Sequence, residues 1–583
     1  MIVNLRTRWA LDKFRSWRNQ LRIRKLARQV ASHSRPSSEA KLPPAEQEVP
    51  GEALVFFIAS ARLGGLSQNA AFSFFASAGL RLAGVPVHFF VCQAGMSPCV
   101  LGTNRQGYTT PPPCKACIRQ SRSIYAGASE NVHWFKYHPD AALASALKAL
   151  SVPELTAFEY KASEAAALEK PVPLGKLVLP AIRWALRLHT LPDDEDTRYL
   201  LRQYILSAYN VAVEFAALLE QLKLSTAVIF NGIMYPEAAA RWVAQQRGLR
   251  VITHEVGFQR YSAFFSDGDA TAYPIPIPAD FELTPEQNAR LDAYLEKRFQ
   301  GNFSMAGIRF WPEMRGLDEA FLQKAGQFRP ELPSEAVPQI VPIFTNVVYD
   351  TSQVHANQVF PHMFAWLETV LQVIRAHPET LFVIRAHPDE MRPGTAKLSR
   401  ESVRDWVAHN AVDKLPNVIF IDSQEYLSSY ELIQRSKFVI VYNSSIGLEA
   451  ALMGKPVVCG GKARYTQYPI VVFPDSPQAY AEQLAAFLEA KTIEVPPEFQ
   501  QNARRFLYFQ LYRASLSFSD YLEEGHRKGY VQLRDFTWQA LLPENSPAIR
   551  TILSGISRTP SAPFSETTAF LLPESQVQET NEL

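Results

Sequence analysis

Arg385, His387 and Pro388 form the first segment whose residue types are suited to binding phosphate, and they directly follow the apolar run 382–384. Guanidinium and imidazole groups donate charge-assisted hydrogen bonds, each contributing about 1.5–3 kcal/mol. A near copy, VIRAHP at 373–378, ends a stretch with helical apolar spacing, where the free backbone groups are carbonyls that repel an anion. His387 is therefore the histidine expected to contact a phosphate, and its alternative role is to brace the loop.

Asn443, Ser444 and Ser445 form the second such segment, between the apolar run 438–442 and a stretch with helical spacing. In the simplest interpretation the serines are ordinary N-cap residues. A helix N-terminus with adjacent hydroxyls is also an anion site, and the two roles are compatible. Glu449 follows in the first turn, where it is either a surface acid favoured by the helix dipole or a partner for ribose hydroxyls.

Glu255 is the candidate general base, because it lies near the end of the predicted strand LRVITHEVG, two residues before a glycine. A positioned carboxylate that takes the proton of an acceptor hydroxyl typically contributes ~10²–10⁴-fold to the rate. The alternative role of Glu255 is to buttress its loop, and His254 is the reserve base. Gly64 and Gly65 form a loop after the first apolar run, where a backbone can approach an acceptor or a phosphate closely.

Four of the five cysteines lie within 26 residues, with the spacing C-x6-C-x14-C-x2-C. The final C-x2-C is half of a typical zinc site, whereas the first pair is more widely spaced than usual. In the cytosol such a cluster favours metal over disulfide. Two interpretations remain open, a structural zinc or reduced, unliganded thiols, and both concern Cys92, Cys99, Cys114 and Cys117.

Composition excludes several classes of protein. The 583 residues are 47% apolar and 20% charged, as in ordinary globular proteins, and a net charge of +2 implies no general affinity for nucleic acid. No run approaches the ~18 apolar residues that a membrane-spanning helix needs. The N-terminus lacks the apolar stretch of a secretory signal, so we expect a cytoplasmic protein.

Charge is concentrated at the N-terminus. Residues 1–30 hold nine basic side chains against one acid, a net charge of +8, which leaves −6 for the rest of the chain. Aromatic residues are interleaved with these charges, and a Pro/Ser/Glu-rich linker follows at 32–51. Such a helix either contacts an anionic membrane at the inner face of the plasma membrane, or is a solvated arm, or docks on the body.

Hydrophobic patterning predicts an α/β protein, because buried strands alternate with amphipathic helices in two successive series. The expected architecture is two Rossmann-like domains that face each other across a cleft, with ligands beyond the carboxyl ends of the strands. The predicted units are a basic arm and linker at 1–52, a first Rossmann-like acceptor domain at 53–330, a donor domain at 338–490, C-terminal helices at 491–540 and a disordered tail at 541–583.

The segment IRAHP at 384–388, followed by YNSSIGLEAALMGKPVV at 442–458, resembles the donor-binding half of capsule polysaccharide biosynthesis glycosyltransferases, which include Kdo-transferring enzymes of GT-B fold. Bacterial sialyltransferases and teichoic-acid glycerophosphotransferases carry similar His-Pro and Ser-Ser signatures, and these families share a cytidine-nucleotide donor. The resemblance implies that His387 and Pro388 hold the donor phosphate beside Ser444 and Ser445.

Three further segments carry the resemblance. Asn346 and Asp350, in FTNVVYD, resemble the first loop of the family's C-terminal domain. More loosely, FNG at 230–232 followed by HEVG at 254–257 resembles the "NG … E-x-G" arrangement of its first domain. Sialyltransferases have two adjacent acids before the glycine, whereas this chain has His254 before Glu255.

The residues and the resemblance together predict a metal-independent GT-B glycosyltransferase that moves a sugar from a nucleotide donor, CMP-linked in the family's manner, to a surface-polysaccharide or lipid-linked acceptor. Three alternatives remain: a CDP-glycerol-type polyol-phosphate transferase, a sugar-nucleotide 2-epimerase and a non-catalytic GT-B scaffold. The Gly-Gly that follows the serine in the epimerases is absent here.

Overall fold

The computed structural model describes residues 5–34, 53–61, 63, 65–161, 168–300, 314–328, 339–391, 398–525, 529–558 and 568–577, and for 5–10 it describes the helix only. The helices, in chain order, are α1 (Leu5–His33), α2 (Gln68–Leu82), α3 (Cys114–Ile124), α4 (Ala141–Leu147), α5 (Val152–Ala157), α6 (Leu174–Leu186), α7 (Glu195–Gln221), α8 (Tyr235–Gln246), α9 (Pro285–Phe299), α10 (Glu319–Phe328), α11 (Gln353–Ala356), α12 (Met363–Ala376), α13 (Val403–His409), α14 (Ser429–Gln434), α15 (Ile446–Leu452), α16 (Pro477–Glu489), α17 (Pro497–Tyr508) and α18 (Pro547–Ser557).

The strands are short and mostly buried. In chain order they are β1 (Ala53–Ile58), β2 (Val87–Cys92), β3 (Val132–Phe135), β4 (Leu224–Phe230), β5 (Arg250–Val256), β6 (Ser262–Asp267), β7 (Ile340–Phe344), β8 (Leu381–Arg385), β9 (Val418–Ile421), β10 (Val439–Val441), β11 (Val457–Cys459), β12 (Leu516–Ser517), β13 (Leu522–Glu524), β14 (Val531–Leu533) and β15 (Thr568–Ala569).

The first sheet has the order β12-β6-β5-β4-β1-β2-β3, and β15 also pairs with β6. The pairs among β1 to β5 are parallel, whereas β6 runs antiparallel to β5 and to both late strands. Successive residues of β1 point to opposite faces, so Leu54 and Phe56 enter one apolar core and Val55 and Phe57 enter the other. A sheet buried on both faces explains why the strands are continuous apolar runs.

The second sheet has the order β11-β10-β7-β8-β9 and is parallel throughout. If the five parallel strands of each sheet are numbered from 1 to 5 in chain order, both sheets have the spatial order 3-2-1-4-5. This is the order of doubly wound nucleotide-binding folds. Alternation along β7 again separates two cores, with Val341 and Ile343 on one face and Ile340 and Phe344 on the other. The predicted α/β class with two Rossmann-like units, the GT-B architecture, is confirmed.

Two predicted boundaries are wrong. The helices α9 and α10 were placed in the first domain, but their buried residues, including Leu291 and Phe321, pack in the core of the second sheet. The predicted disordered tail contains α18, whose Ile549 and Ile552 are fully buried against the first sheet's helices. Burial of its apolar face therefore stabilises α18, although the segments on either side are polar in composition. The segment 491–540, predicted helical, also contains β12, β13 and β14.

The N-terminal helix α1 docks on the body of the protein rather than extending into solvent. Ile23, Leu26 and Val30 are buried in the core that α1 shares with α2 and α18. Arg22 Nη1 donates to the carbonyl of Leu533 at 2.8 Å. No helix in the described parts of the chain is long and apolar enough to cross a membrane.

Candidate active site

A large cavity of about 1440 Å³ opens where loops leave the carboxyl ends of both sheets. Its walls include the residues that follow β5 in the first sheet and those that follow β7, β8 and β10 in the second. Ten residues predicted from the sequence line this one cavity: Glu255, Asn346, Asp350, Arg385, His387, Pro388, Asn443, Ser444, Ser445 and Glu449.

The two copies of the VIRAHP motif lie in different kinds of element, as their flanking sequences predicted. The first copy ends α12 at Ala376, with His377 at the C-cap, whereas the second copy ends β8 at Arg385. His387 lines the cavity and His377 does not. The difference arises because a strand of a parallel sheet ends at the cleft and a helix that packs on the sheet does not.

Arg385 is the most unusual side chain of the cavity wall, because it is only 2% exposed. Its Nη1 donates to the carbonyl of Asp422 at 2.6 Å. Its Nε and Nη2 are buried and have no hydrogen-bond partner among the described residues. Burial lowers the pKa of Arg385 to about 10, so the guanidinium remains charged at neutral pH. A buried cation with unsatisfied donors is costly unless an anion completes its hydrogen bonds.

The ring of His387 is oriented by its own loop. Its Nδ1 accepts a hydrogen bond from the backbone N–H of Asp389 at 3.1 Å. In the neutral ring this leaves the proton on Nε2, which is therefore a donor. The sequence left open whether His387 braces the loop or contacts a ligand, and the geometry is compatible with both roles.

The turn after β10 is fixed from two sides. Asn443 Oδ1 accepts a hydrogen bond from Asn346 Nδ2 at 2.6 Å, and the carbonyl of Ser444 accepts one from Tyr465 Oη at 2.7 Å. Ser445 occupies the N-cap position of α15, yet its side chain makes no capping hydrogen bond. The hydroxyl of Ser445 is exposed at the cavity.

Glu449 is not the surface acid that one interpretation of the sequence predicted, because it is 6% exposed. Its Oε1 accepts a hydrogen bond from Arg298 Nη2 at 2.6 Å, and its Oε2 accepts one from Tyr430 Oη at 2.7 Å. Burial would lower the pKa of Arg298, but the charge of Glu449 outweighs this effect and raises it. The pair joins α9 to α15 at the cavity wall.

Glu255 lies at the end of β5, on the wall of the cavity that belongs to the first lobe. We use first lobe and second lobe for the first and second sheets with the helices packed on them. Its Oε2 accepts a hydrogen bond from Asn231 Nδ2 at 2.6 Å, and its Oε1 accepts one from the N–H of Val256 at 2.9 Å. Asn231 has a φ of 62° and Gly232 one of 80°, so the Asn-Gly turn after β4 uses residues that tolerate the left-handed region. This turn holds the carboxylate in a fixed position.

His254 is not placed to act as the reserve base. Its side chain is 1% exposed, its Nε2 lies 2.9 Å from Ser73 Oγ, and its ring stacks on Phe265 inside the first lobe. Neighbouring strand residues point to opposite faces, so His254 and Glu255 cannot both face the cavity. The period of two was already visible in the sequence and favours Glu255.

The glycine loop has a different role from the one predicted. Gly64 lies outside the described residues. Gly65 does not line the large cavity, and a Cβ at this position would lie 2.4 Å from the ring of Tyr530. The missing side chain at Gly65 therefore makes room for Tyr530, whose ring itself reaches the cavity.

The four clustered cysteines line one small cavity of about 20 Å³. Cys92 Sγ accepts a hydrogen bond from the N–H of Gly95 at 3.3 Å, and Cys99 Sγ accepts one from the N–H of Gly102 at 3.2 Å. Within the described ranges, no three His, Cys, Asp or Glu side chains are arranged as metal ligands. The choice between structural zinc and reduced thiols stays a prediction, which metal analysis of the purified protein tests.

Three cavity residues were missed by sequence reasoning. Arg298 looked like an ordinary basic residue in the last turn of a helix. Arg464 lies over the rings of Phe258 and Tyr273, with its Cζ 4.7 and 4.6 Å from their centroids. Gln510 lies in the π-helical turn Phe509–Arg513 that continues α17. Such π-bulges are frequent at functional sites, but no local sequence pattern marks them.

Comparison with solved structures returns proteins of low overall similarity. Thermosulfurimonas dismutans KpsC, beta Kdo 2,4 transferase, matches with 13% identity and a TM-score of 0.30, over 53% of this chain and 84% of that one. KpsC, beta Kdo 2,7 transferase, of the same organism matches with 16% identity and a TM-score of 0.27, over 59% of this chain and 88% of that one. UDP-GlcNAc 2-epimerase from Neisseria meningitidis matches with 15% identity and a TM-score of 0.24, over 52% of this chain and 80% of that one.

These similarities establish no function by themselves, and the strand orders described above establish the fold. No curated protein matches the sequence. A family model does match: residues 329–470 fit the capsule polysaccharide biosynthesis protein family. This segment contains β7 to β11 and nine of the ten predicted residues that line the cavity. Over residues 329–470, which hold the whole second sheet, this chain is therefore similar to the capsule polysaccharide biosynthesis protein family.

Proposed function

We propose that this protein is a glycosyltransferase that moves a sugar from a cytidine-nucleotide donor, CMP-linked, to a surface-polysaccharide or lipid-linked acceptor at the cytoplasmic face of the plasma membrane. The observation that carries the proposal is the buried guanidinium of Arg385, whose Nε and Nη2 lack partners beside the cavity. An anionic phosphate group of the donor supplies the missing acceptors.

The same wall of the cavity provides two further groups for the donor phosphate. His387 lines the cavity with its ring oriented by the N–H of Asp389, and Ser445 presents a hydroxyl that does not cap its helix. These groups and Arg385 would hold the phosphate from the ends of β8 and β10, the two strands that flank β7. The cavity of about 1440 Å³ exceeds the 300–1,000 Å³ of ordinary ligand pockets, so a nucleotide sugar and part of an acceptor fit together.

In the proposed reaction Glu255 takes the proton of the acceptor hydroxyl. The acceptor oxygen forms a bond to the anomeric carbon, and the bond from that carbon to the phosphate oxygen breaks. The leaving phosphate keeps the electron pair, and Arg385 and His387 stabilise its charge by hydrogen bonds. This step uses no metal, because the guanidinium and the imidazole supply the donors and the positive charge.

A thermal-shift comparison of CMP, CDP, UDP, GDP and ADP tests the proposal. A ligand at 100 times its Kd stabilises the folded state by about 2.7 kcal/mol, which should raise the Tm by ~2 °C or more. We expect CMP or CDP to give the largest shift. A uridine preference would instead favour a UDP-sugar enzyme such as an epimerase, and the absence of any shift would favour a scaffold.

The duplicated motif supplies a matched control. His387→Ala should abolish most of the cytidine shift, whereas His377→Ala, with the same neighbours in sequence, should leave it unchanged. His377 lies at the end of α12 with Nδ1 3.0 Å from Glu379 Oε1 and does not line the cavity. Equal behaviour of the two variants would contradict the donor site.

A further inference from the structure

The helix α1 has two apolar faces, and only one of them is covered. The covered face carries Ile23, Leu26, Ala27 and Val30, which are 0–5% exposed. Polar contacts fix this orientation: the N–H of Leu533 donates to Asn19 Oδ1 at 3.0 Å, besides the bond from Arg22. The rotation of α1 about its axis is therefore set by the body of the protein.

The opposite face forms what we term the apolar stripe: Leu11, Phe14, Trp17 and Leu21, which are 49%, 54%, 56% and 43% exposed. At 100° per residue the stripe lies in a sector of about 120°, roughly opposite the centre of the covered face. Seven large apolar side chains are exposed in the described residues, and four of them belong to this stripe. Contiguous exposed apolar surface of this kind marks an interaction site.

The charges around the stripe identify its partner. Within residues 11–33 of α1, five basic side chains are exposed: Lys13, Arg15, Arg18, Lys25 and Arg28. Asp12 is the only acid in the helix. Aromatic rings and aliphatic side chains flanked by lysine and arginine suit the boundary between acyl chains and anionic headgroups. Each basic residue near such a surface strengthens binding about fivefold.

We propose that α1 docks this protein on an anionic membrane, with the apolar stripe in the interface and the flanking basic side chains on lipid phosphates. The helix lies along the surface and does not cross it, because its other face is buried in the protein. The inference is independent of the donor chemistry, since α1 contributes no residue to the wall of the large cavity.

Sedimentation of the full-length protein with vesicles tests the proposal. We expect binding to mixed phosphatidylglycerol and phosphatidylcholine vesicles, and little binding to phosphatidylcholine alone. The double variant Phe14→Ser/Trp17→Ser should lower the affinity about tenfold or more. Replacing Lys13, Arg15 and Arg18 by glutamine should weaken it by up to about a hundredfold, since three fivefold effects multiply. The control Leu398→Ser, at a side chain 50% exposed elsewhere on the surface, should leave binding unchanged.

Two further measurements separate the alternatives. The tryptophan emission should shift to shorter wavelength on vesicle binding, and Trp17→Phe should remove most of that shift while it preserves sedimentation. Equal binding of the double serine variant, or equal affinity for neutral vesicles, would overturn the proposal. It would also be overturned if the stripe proved to join two copies of the chain, which light scattering would reveal as a dimer that the serine variant dissociates.

Discussion

Asn346 Nδ2 donates a hydrogen bond to Asn443 Oδ1 at 2.6 Å and thereby joins the ends of β7 and β10. These neighbouring strands mark the point where the order 3-2-1-4-5 reverses direction. Doubly wound folds bind their ligands in the crevice at this point. The amide pair therefore sets the distance between the two loops that we assign to the donor.

If the amide pair acts as one unit, Asn346→Ala and Asn443→Ala should affect nucleotide affinity non-additively. Each single variant should weaken CMP binding, and the double variant should be little worse than either one. Residues in direct contact typically show a coupling of about 0.5–3 kcal/mol. Calorimetric titration of the four proteins gives this coupling energy, and strictly additive losses would argue that the two residues act separately.

Glu255→Gln should lower kcat by ~10²–10³-fold and leave the nucleotide Kd nearly unchanged, because the amide accepts the N–H of Val256 but cannot take a proton. Asn231→Gly tolerates the positive φ and removes the side chain that holds Oε2. We expect it to cause a smaller loss of kcat. Transfer assays at saturating donor check both values, and normal turnover of Glu255→Gln would exclude this residue as the base.

Gly447→Ala should destabilise the protein by about 1–3 kcal/mol and weaken nucleotide binding. A Cβ at Gly447 would lie 2.2 Å from Tyr465 Oη, the group that holds the carbonyl of Ser444. Gly326→Ala is the matched control, because nothing lies within 4 Å of its added Cβ in α10. The control should be neutral or stabilising by ~0.5–1 kcal/mol, since alanine favours helix. Similar Tm values for both variants would contradict the tight packing at Gly447.

Glu390 should make stability fall as the pH rises. Burial raises the pKa of this carboxyl to about 8, and its Oε2 has no partner among the described residues. Between its ordinary pKa and 8 the folded protein keeps a proton that the unfolded chain releases. Each pH unit in this window therefore costs at most about 1.4 kcal/mol.

The variant Glu390→Gln should lose this dependence, so its Tm relative to the unsubstituted protein should rise from about pH 5.5 to about pH 7.5. The pKa of Glu379 is shifted in the opposite direction, because hydrogen bonds from the residue's own backbone N–H and from His377 lower it. Glu379→Gln therefore serves as the control and should show no such gain. Parallel Tm curves for Glu390→Gln and the unsubstituted protein would contradict an uncharged Glu390.

The placement of the second-sheet residues at one cavity was predictable because they follow strands of a parallel sheet, and strand ends meet at one edge. Asn346, His387 and Ser445 are separated in sequence, yet each is near an apolar run that can be recognised locally. The doubly wound class was predictable as well, since alternating strands and helices permit few topologies. The order of the strands within each sheet was not predicted.

Contacts between distant elements were not predictable. Arg298 approaches Glu449 only because α9 packs on the second lobe, and nothing near position 298 specifies that contact. The helix α18 was overlooked because it is short and flanked by polar segments, although Ile549, Ile552 and Ile556 have helical spacing. Its partners lie far away in the chain, and single-sequence patterns carry no information about them.

The same long-range packing has a consequence for biosynthesis. The core of the first lobe includes both Ile23 and Ile552, and Asn19 bonds with Leu533. The strands of the second sheet, by contrast, all lie between residues 340 and 459. On the ribosome the second sheet can thus form before the core of the first lobe is complete, and part of the first lobe's apolar surface stays uncovered until Ile552 has been synthesised.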